Sequence, residues 1–270
     1  MIVALFRIAL CVCALAIASA IAQTPPTSVF IDDLTWTELR DGIAAGKTTI
    51  IVPIGAIEQN GPWMALGKHN VRAKALSEKI ARLLGNALVA PVVAYVPEGQ
   101  VDPPTQHMRF PGTITIPDSA FEKTLEYAAR SLRRAGFRDV VFLGDHGGYQ
   151  KSEIAVAARL NREWQAEDTR VHAIEEYYRA TQTAYVQMLK RRGYSDREIG
   201  SHAGLADTAL TLALAPDMVR TDRLASAAEP SVTQGVQGDP RRATAELGQL
   251  GVDIIVAQTV EAVRKATQRH

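Results

Sequence analysis

Glu58, His69, His146, His202 and Asp207 are the side chains of this sequence best suited to chemistry. They fall in three polar segments: Pro53-Ile54-Gly55-Ala56-Ile57-Glu58-Gln59-Asn60-Gly61-Pro62 leading to His69, Gly144-Asp145-His146-Gly147-Gly148, and Ser201-His202-Ala203-Gly204-Leu205-Ala206-Asp207-Thr208. Together they offer the nitrogen and oxygen ligands that hold zinc, manganese or iron. Each residue also has a structural alternative as a helix cap or loop hydrogen-bonder, and the glycines around His146 could simply make a tight turn. What raises their interest is where the neighbouring elements would put them.

Those elements alternate strand and helix, the pattern of a single α/β domain with a mostly parallel central sheet flanked by helices. Residues 48–54 are β-branched and apolar, as a strand buried on both faces requires. Residues 87–96, 139–143 and 170–174 are the next strand candidates. Helices are expected over 69–84, with Val71, Ala75, Ile80 and Leu83 inward and Arg72 elsewhere. Others are expected over 118–135 (Asp118 as N-cap, Gly136 as stop), 153–164, 177–192, from about 202 to 215, and 241–268. Residues 221–242 read as loop. Two of the polar segments directly follow strands, and in open parallel sheets function sits beyond the carboxyl ends of the strands.

The amino terminus reads as a leader. Arg7 precedes an apolar, uncharged run from Ile8 to Ile17, and small residues follow at Ala18, Ala20 and Ala22. The expected cut follows Ala22, giving residues 23–270 as the mature domain in the periplasm or outside the cell; an uncleaved anchor is the alternative. Cys11 and Cys13 lie inside the leader, so the mature chain has no disulfide and no thiolate ligand. Composition excludes other classes. Thirty basic against 29 acidic side chains lack the footprint of a nucleic-acid binder. A mean hydropathy of −0.04 argues against a multi-span membrane protein.

The order and wording of the segments resemble the creatininase family. That family's Glu-x-His-Gly-x-His-Leu-Pro-x-x-Thr-Asp corresponds to Glu58-Gln59-Asn60-Gly61-Pro62-Trp63-Met64-Ala65-Leu66-Gly67-Lys68-His69. Its Asn-Gly-His-Gly-Gly-Asn is similar to Gly144-Asp145-His146-Gly147-Gly148-Tyr149, and its His-Ala-Gly-Glu-x-Glu-Thr-Ser to the run from His202 to Ala209. Phe110-Pro111-Gly112-Thr113-Ile114-Thr115, preceded by His107, and Gly235-Val236-Gln237-Gly238-Asp239-Pro240 match two more of its segments.

The resemblance implies a creatininase-like α/β fold, commonly hexameric, and metal-dependent hydrolysis of an amide-type C–N bond, often cyclic. Glu58 and His146 match metal ligands. Asn60 stands for a ligand histidine, His69 for an aspartate that bridges two metals, and Gly148 where some relatives carry a carboxylate. Asp207 matches a glutamate, and His202 a histidine that handles protons. Neutral imidazole has one lone pair and cannot simply bridge two cations. The expected site is therefore one divalent ion, zinc before manganese or iron, held by Glu58, His69, His146 and Asp207. Glu58 and His202 are the candidate catalytic residues, and Trp63, His107 and Tyr149 the candidates for contacting a small amide or short peptide substrate. Two other readings stay open: a binding protein on the same fold that has lost its metal pair, and a peptide-trimming hydrolase.

Overall fold

The computed structural model describes residues 28–268; the leader and its cleavage site lie outside them. Four parallel strands, β1 (Thr49–Ile54), β2 (Ala87–Val89), β3 (Asp139–Gly144) and β4 (Arg170–Ala173), form one sheet in the order β2-β1-β3-β4. The helices are α1 (Trp36–Ala44), α2 (Lys68–Leu84), α3 (Asp118–Ala135), α4 (Gln150–Glu163), α5 (Glu175–Gln182), α6 (Ala184–Arg191), α7 (Asp196–Ile199), α8 (Leu205–Leu214), α9 (Thr221–Ala225) and α10 (Ala245–Thr267). Among the described residues, no helix is long and apolar enough to cross a membrane.

Strands β1 and β3 are buried along their whole length, which explains their unbroken apolar sequences. Helix α2 packs on β1 and β2, α5 packs on β3, and α10 lies behind α2, α5 and α8; α3 and α4 pack together against β3 and β4. The chain leaves β1 towards β2 and then crosses back to β3 on the other side of β1. The strand order therefore reverses between β1 and β3, where an open parallel sheet forms its crevice.

Several boundaries differ from the sequence reading for local reasons. The second strand stops at Val89 because Pro91 has no N–H to give the ladder, although Val93 resumes contact by donating to Pro53 O at 2.9 Å. The helix expected over 177–192 is two helices. They are broken at Thr183 (φ −119°, ψ −80°), whose hydroxyl turns back onto Arg179 O at 2.7 Å. Pro117 occupies the N-cap position of α3, and Asp118 is its first residue without a capping bond. Residues 221–242 include α9, and the last helix starts at Ala245, capped by Thr244. On α2 the buried face is Lys68, His69, Arg72, Ala73, Leu76, Ser77, Ile80 and Ala81, whereas Leu83 is exposed. The first turn of α2 faces the crevice rather than the apolar core, so its inward positions are polar.

Candidate functional site

The site begins where β1 and β3 end side by side, Ile54 opposite Gly144. Tyr149 fastens the two ends: its buried hydroxyl lies 2.9 Å from Ile54 O and 2.8 Å from Gly55 O, and accepts from His146 N at 3.1 Å. Gly144 has to be glycine here, because a Cβ would run into Glu153, Gln150 and Tyr149. The expectation that Tyr149 contacts substrate is thereby revised. It is fully buried and positions the two loops that follow.

Glu58, on the loop after β1, is the centre of the cluster. Its Oε1 lies 2.6 Å from His69 Nε2, 3.6 Å from Lys68 Nζ and 3.7 Å from His202 Nδ1. Its Oε2 lies 3.3 Å from His107 Nε2 and 3.6 Å from His146 Nε2. Burial alone would raise its pKa, but His69, Lys68 and His146 hold it well below the usual carboxylate range. Glu98, on the extended segment after β2, approaches His146 Nδ1 at 3.4 Å. Burial first, and the Glu58 charge next, push Glu98 up to about 9. The two acids thus differ in protonation: Lys68 acts on both, but at Glu98 burial and the Glu58 charge outweigh it.

A second network lies on the other side of Glu58. His69 Nδ1 lies 2.6 Å from Asp145 Oδ2, which also meets Arg72 at 3.0 Å, while Asp145 Oδ1 accepts from Tyr177 at 2.9 Å. Arg72 and Lys68 reach Asp207 at 2.7 and 2.8 Å, and Asp207 also accepts from Ala203 N at 2.9 Å. Ala203 has φ +53°, so Asp207 helps hold strained backbone beside His202. Burial opposes ionisation of Asp145 and Asp207, yet Arg72 with His69, and Lys68 with Arg72, keep both carboxylates ionised. The ligand role expected of Asp207 gives way to this one, since both of its oxygens are engaged by protein cations. His69 is equally engaged, with both ring nitrogens facing carboxylates.

The residues that could hold a cation are therefore Glu58, Glu98, His107 and His146, whose ligand atoms lie within 4.8 Å of one another. Glu58 Oε2 and both oxygens of Glu98 are buried without a hydrogen-bond partner. Buried oxygens left in this state fit a divalent ion, which would satisfy them, take the lone pairs of the two imidazoles and displace the proton that burial keeps on Glu98. Glu98 was not legible in the sequence, because it belongs to no motif and is brought in by the segment that continues β2. It approaches the same ring as Gly148, where a Cβ would lie 3.0 Å from His146 Cε1.

Asn60 points elsewhere: its amide donates to Glu58 O at 2.9 Å and Ala65 O at 3.0 Å, closing the loop. Trp63 is 8% exposed and packs with Met64, Ala203, Val219, Leu224 and Val236, so it is a packing residue and not an aromatic wall. His107 does line the cavity. Gln59, another residue the sequence reading passed over, has its Nε2 3.1 Å from His107 Nδ1 and 3.0 Å from His202 Nε2, its backbone O 2.9 Å from that same His202 nitrogen, and its Oε1 accepting from Gly61 N at 2.9 Å. Burial pushes His146 down to about 4 and His202 to about 3, so both rings are neutral. The cavity they face is about 200 Å³.

Comparison with known proteins agrees with this geometry. The creatininase family model, described as creatinine amidohydrolase, matches residues 32–263. Creatinine amidohydrolase of Pseudomonas putida is 28% identical over 257 residues, covering 88% of this chain and 97% of its own. The mycofactocin precursor peptide peptidase of Mycolicibacterium smegmatis is 28% identical over 221 residues, 74% of this chain and 78% of its own. A solved structure of manganese creatininase superposes with a TM-score of 0.73 at 27% identity, covering 90% of this chain and all of that one. Matched over most of its length, and with a cluster able to hold a cation at its sheet's switch point, the chain belongs to the creatininase family and is a metal-dependent hydrolase.

Proposed function

We propose that the protein is an amidohydrolase of small linear or cyclic amides that works with one divalent ion, zinc before manganese or iron, held by Glu58, Glu98, His107 and His146. The observation that carries this reading is the convergence of unpartnered Glu58 and Glu98 oxygens with two imidazoles that line a small cavity. Two imidazoles with carboxylates favour zinc among the common divalent ions. A divalent ion bound there supplies polarisation of the amide carbonyl and a lower pKa for water.

The chain's own residues do the rest. His202 is neutral, so it enters the cycle as a proton acceptor and gives a proton to the leaving nitrogen only after taking one up. Gln59 holds its orientation and bridges it to His107. Lys68, His69 and Arg72 engage Asp145, Asp207 and one oxygen of Glu58, leaving the other oxygen for the ion. Small size favours a compact amide over a peptide, because about 200 Å³ is below the roughly 300–1,000 Å³ of pockets that enclose drug-sized ligands. The apolar leader supports a place of action in the periplasm or outside the cell.

The test is metal analysis of purified protein beside a panel of small cyclic and linear amides. One equivalent of zinc and turnover of a panel member are expected, and His146→Ala should lose both while keeping its thermal transition. A metal-free, inactive wild type after zinc and manganese supplementation would favour the binding-protein reading instead.

A further inference from the structure

The inner wall of the cavity carries two buried donors with nothing to bond. Arg72 uses one terminal nitrogen on Asp207 (2.7 Å) and the other on Asp145 (3.0 Å), but its Nε is buried without a partner among the described residues. The Tyr185 hydroxyl, on α6, is in the same condition, and Tyr185 is fully buried. Both residues line the cavity, and Arg72 is near enough to bear on the ionisation of Tyr185. Leaving a buried donor unpaired costs stability, so two of them at one wall of a cavity mark a place for an acceptor that arrives with the ligand.

The acids nearby do not contradict this. Asp145 already accepts from His69, Arg72 and Tyr177, and Asp207 from Arg72, Lys68 and the Ala203 N–H. What the wall has left to offer is N–H and O–H. A guanidinium N–H and a phenol O–H from two residues lining one cavity match the two oxygens of a carboxylate better than a single neutral carbonyl.

We infer that Arg72 and Tyr185 form a carboxylate subsite, and that the substrate is a small amide that also carries a carboxylate. The amide lies towards Glu58 and His146, and the carboxylate docks on Arg72 Nε and the Tyr185 hydroxyl. This rests on the amidohydrolase reading above and names its substrate class.

The experiment titrates succinamate, and its neutral counterpart succinamide, into the zinc-loaded full chain by calorimetry. Succinamate is expected to bind about tenfold tighter or more, the effect of one good charge-assisted hydrogen bond. Tyr185→Phe, which removes only the hydroxyl, should erase most of that preference and leave zinc content and thermal transition in place. Equal affinity of the two probes, including no binding of either at millimolar concentration, overturns the proposal. So does a preference that survives in Tyr185→Phe, which would put the carboxylate on the metal. The same titration on metal-free protein separates this inference from the one beneath it, since Arg72 and Tyr185 are in place without an ion. A preference without zinc binding keeps the subsite and sinks the metal mechanism.

Discussion

His69 holds Glu58 from one side only: its Nε2 sits 2.6 Å from Oε1, and the other oxygen of that carboxylate faces His107 and His146. One carboxylate is thus divided between a protein imidazole and a position fit for a metal. On the His69 side every acid is engaged. Asp145 is shared by His69, Arg72 and Tyr177, and Asp207 by Lys68 and Arg72. Little is left there for a second ion, because two divalent ions repel strongly unless several anionic groups lie between them.

The expected stoichiometry is therefore one metal per chain, measured by elemental analysis after dialysis. Glu98→Gln should weaken zinc binding by about 10–100-fold or more in a chelator competition, without unfolding the chain. Asn60→His combined with His69→Asp should raise the content towards two. Two equivalents in the unmodified protein would sink the single-ion reading.

His202→Gln should keep the zinc and lose about 10²–10⁴ in kcat, the usual worth of a positioned proton carrier. The ring sits 3.7 Å from Glu58 through Nδ1 and is not in the donor cluster. Loss of zinc in this variant would mean that His202 is a ligand.

Glu153 lies fully buried beneath Gly144, one oxygen has no partner, and burial pushes its pKa well above the ordinary 4.5. Between 4.5 and that raised value, the folded chain holds a proton that the unfolded chain has released, so stability falls as pH rises. Glu153→Met, similar in size and uncharged, should stabilise the protein at pH 7 by on the order of 1 kcal/mol or more, or about 2–4 °C in Tm. The gain should shrink as the pH is lowered through 4.5. A variant less stable than wild type at pH 7 would refute the penalty.

Material recovered outside the cytoplasm should begin at or near Gln23 and contain no cysteine. Intact-mass measurement decides this, and a mass that retains Cys11 and Cys13 would overturn the cleavage.

The fold was largely legible because β1 and β3 are long apolar runs ending in polar segments, and their side-by-side ends bring Glu58 and His146 together. His202 and His107 were legible through the motifs that contain them. Glu98 was hidden because its importance comes only from the path of the chain after β2. Arg72 was misread because helical periodicity treats charged positions as solvent-facing, and Lys68 lay just outside the expected helix, whereas the first turn of α2 faces buried acids. Trp63 and Tyr149 show the reverse error: aromatic residues beside a motif look like substrate walls, but one fills a small apolar cluster and the other ties two strands.

The break at Thr183 divides the labour of the crevice. Three of the four donors are carried by strand ends and their extensions, with β1 and β3 fastened together by Tyr149, and His107 comes from the short turn Gln106–Arg109. The facing wall, with Thr181, Gln182, Tyr185 and Val186, comes from the two short helices on either side of Thr183. The donors and this facing wall thus sit on separate pieces of chain. Substitutions at Thr181, Gln182 and Val186 can change which molecule is admitted while the donors stay fixed, so the lineage of this protein could explore new substrates without rebuilding its reaction centre.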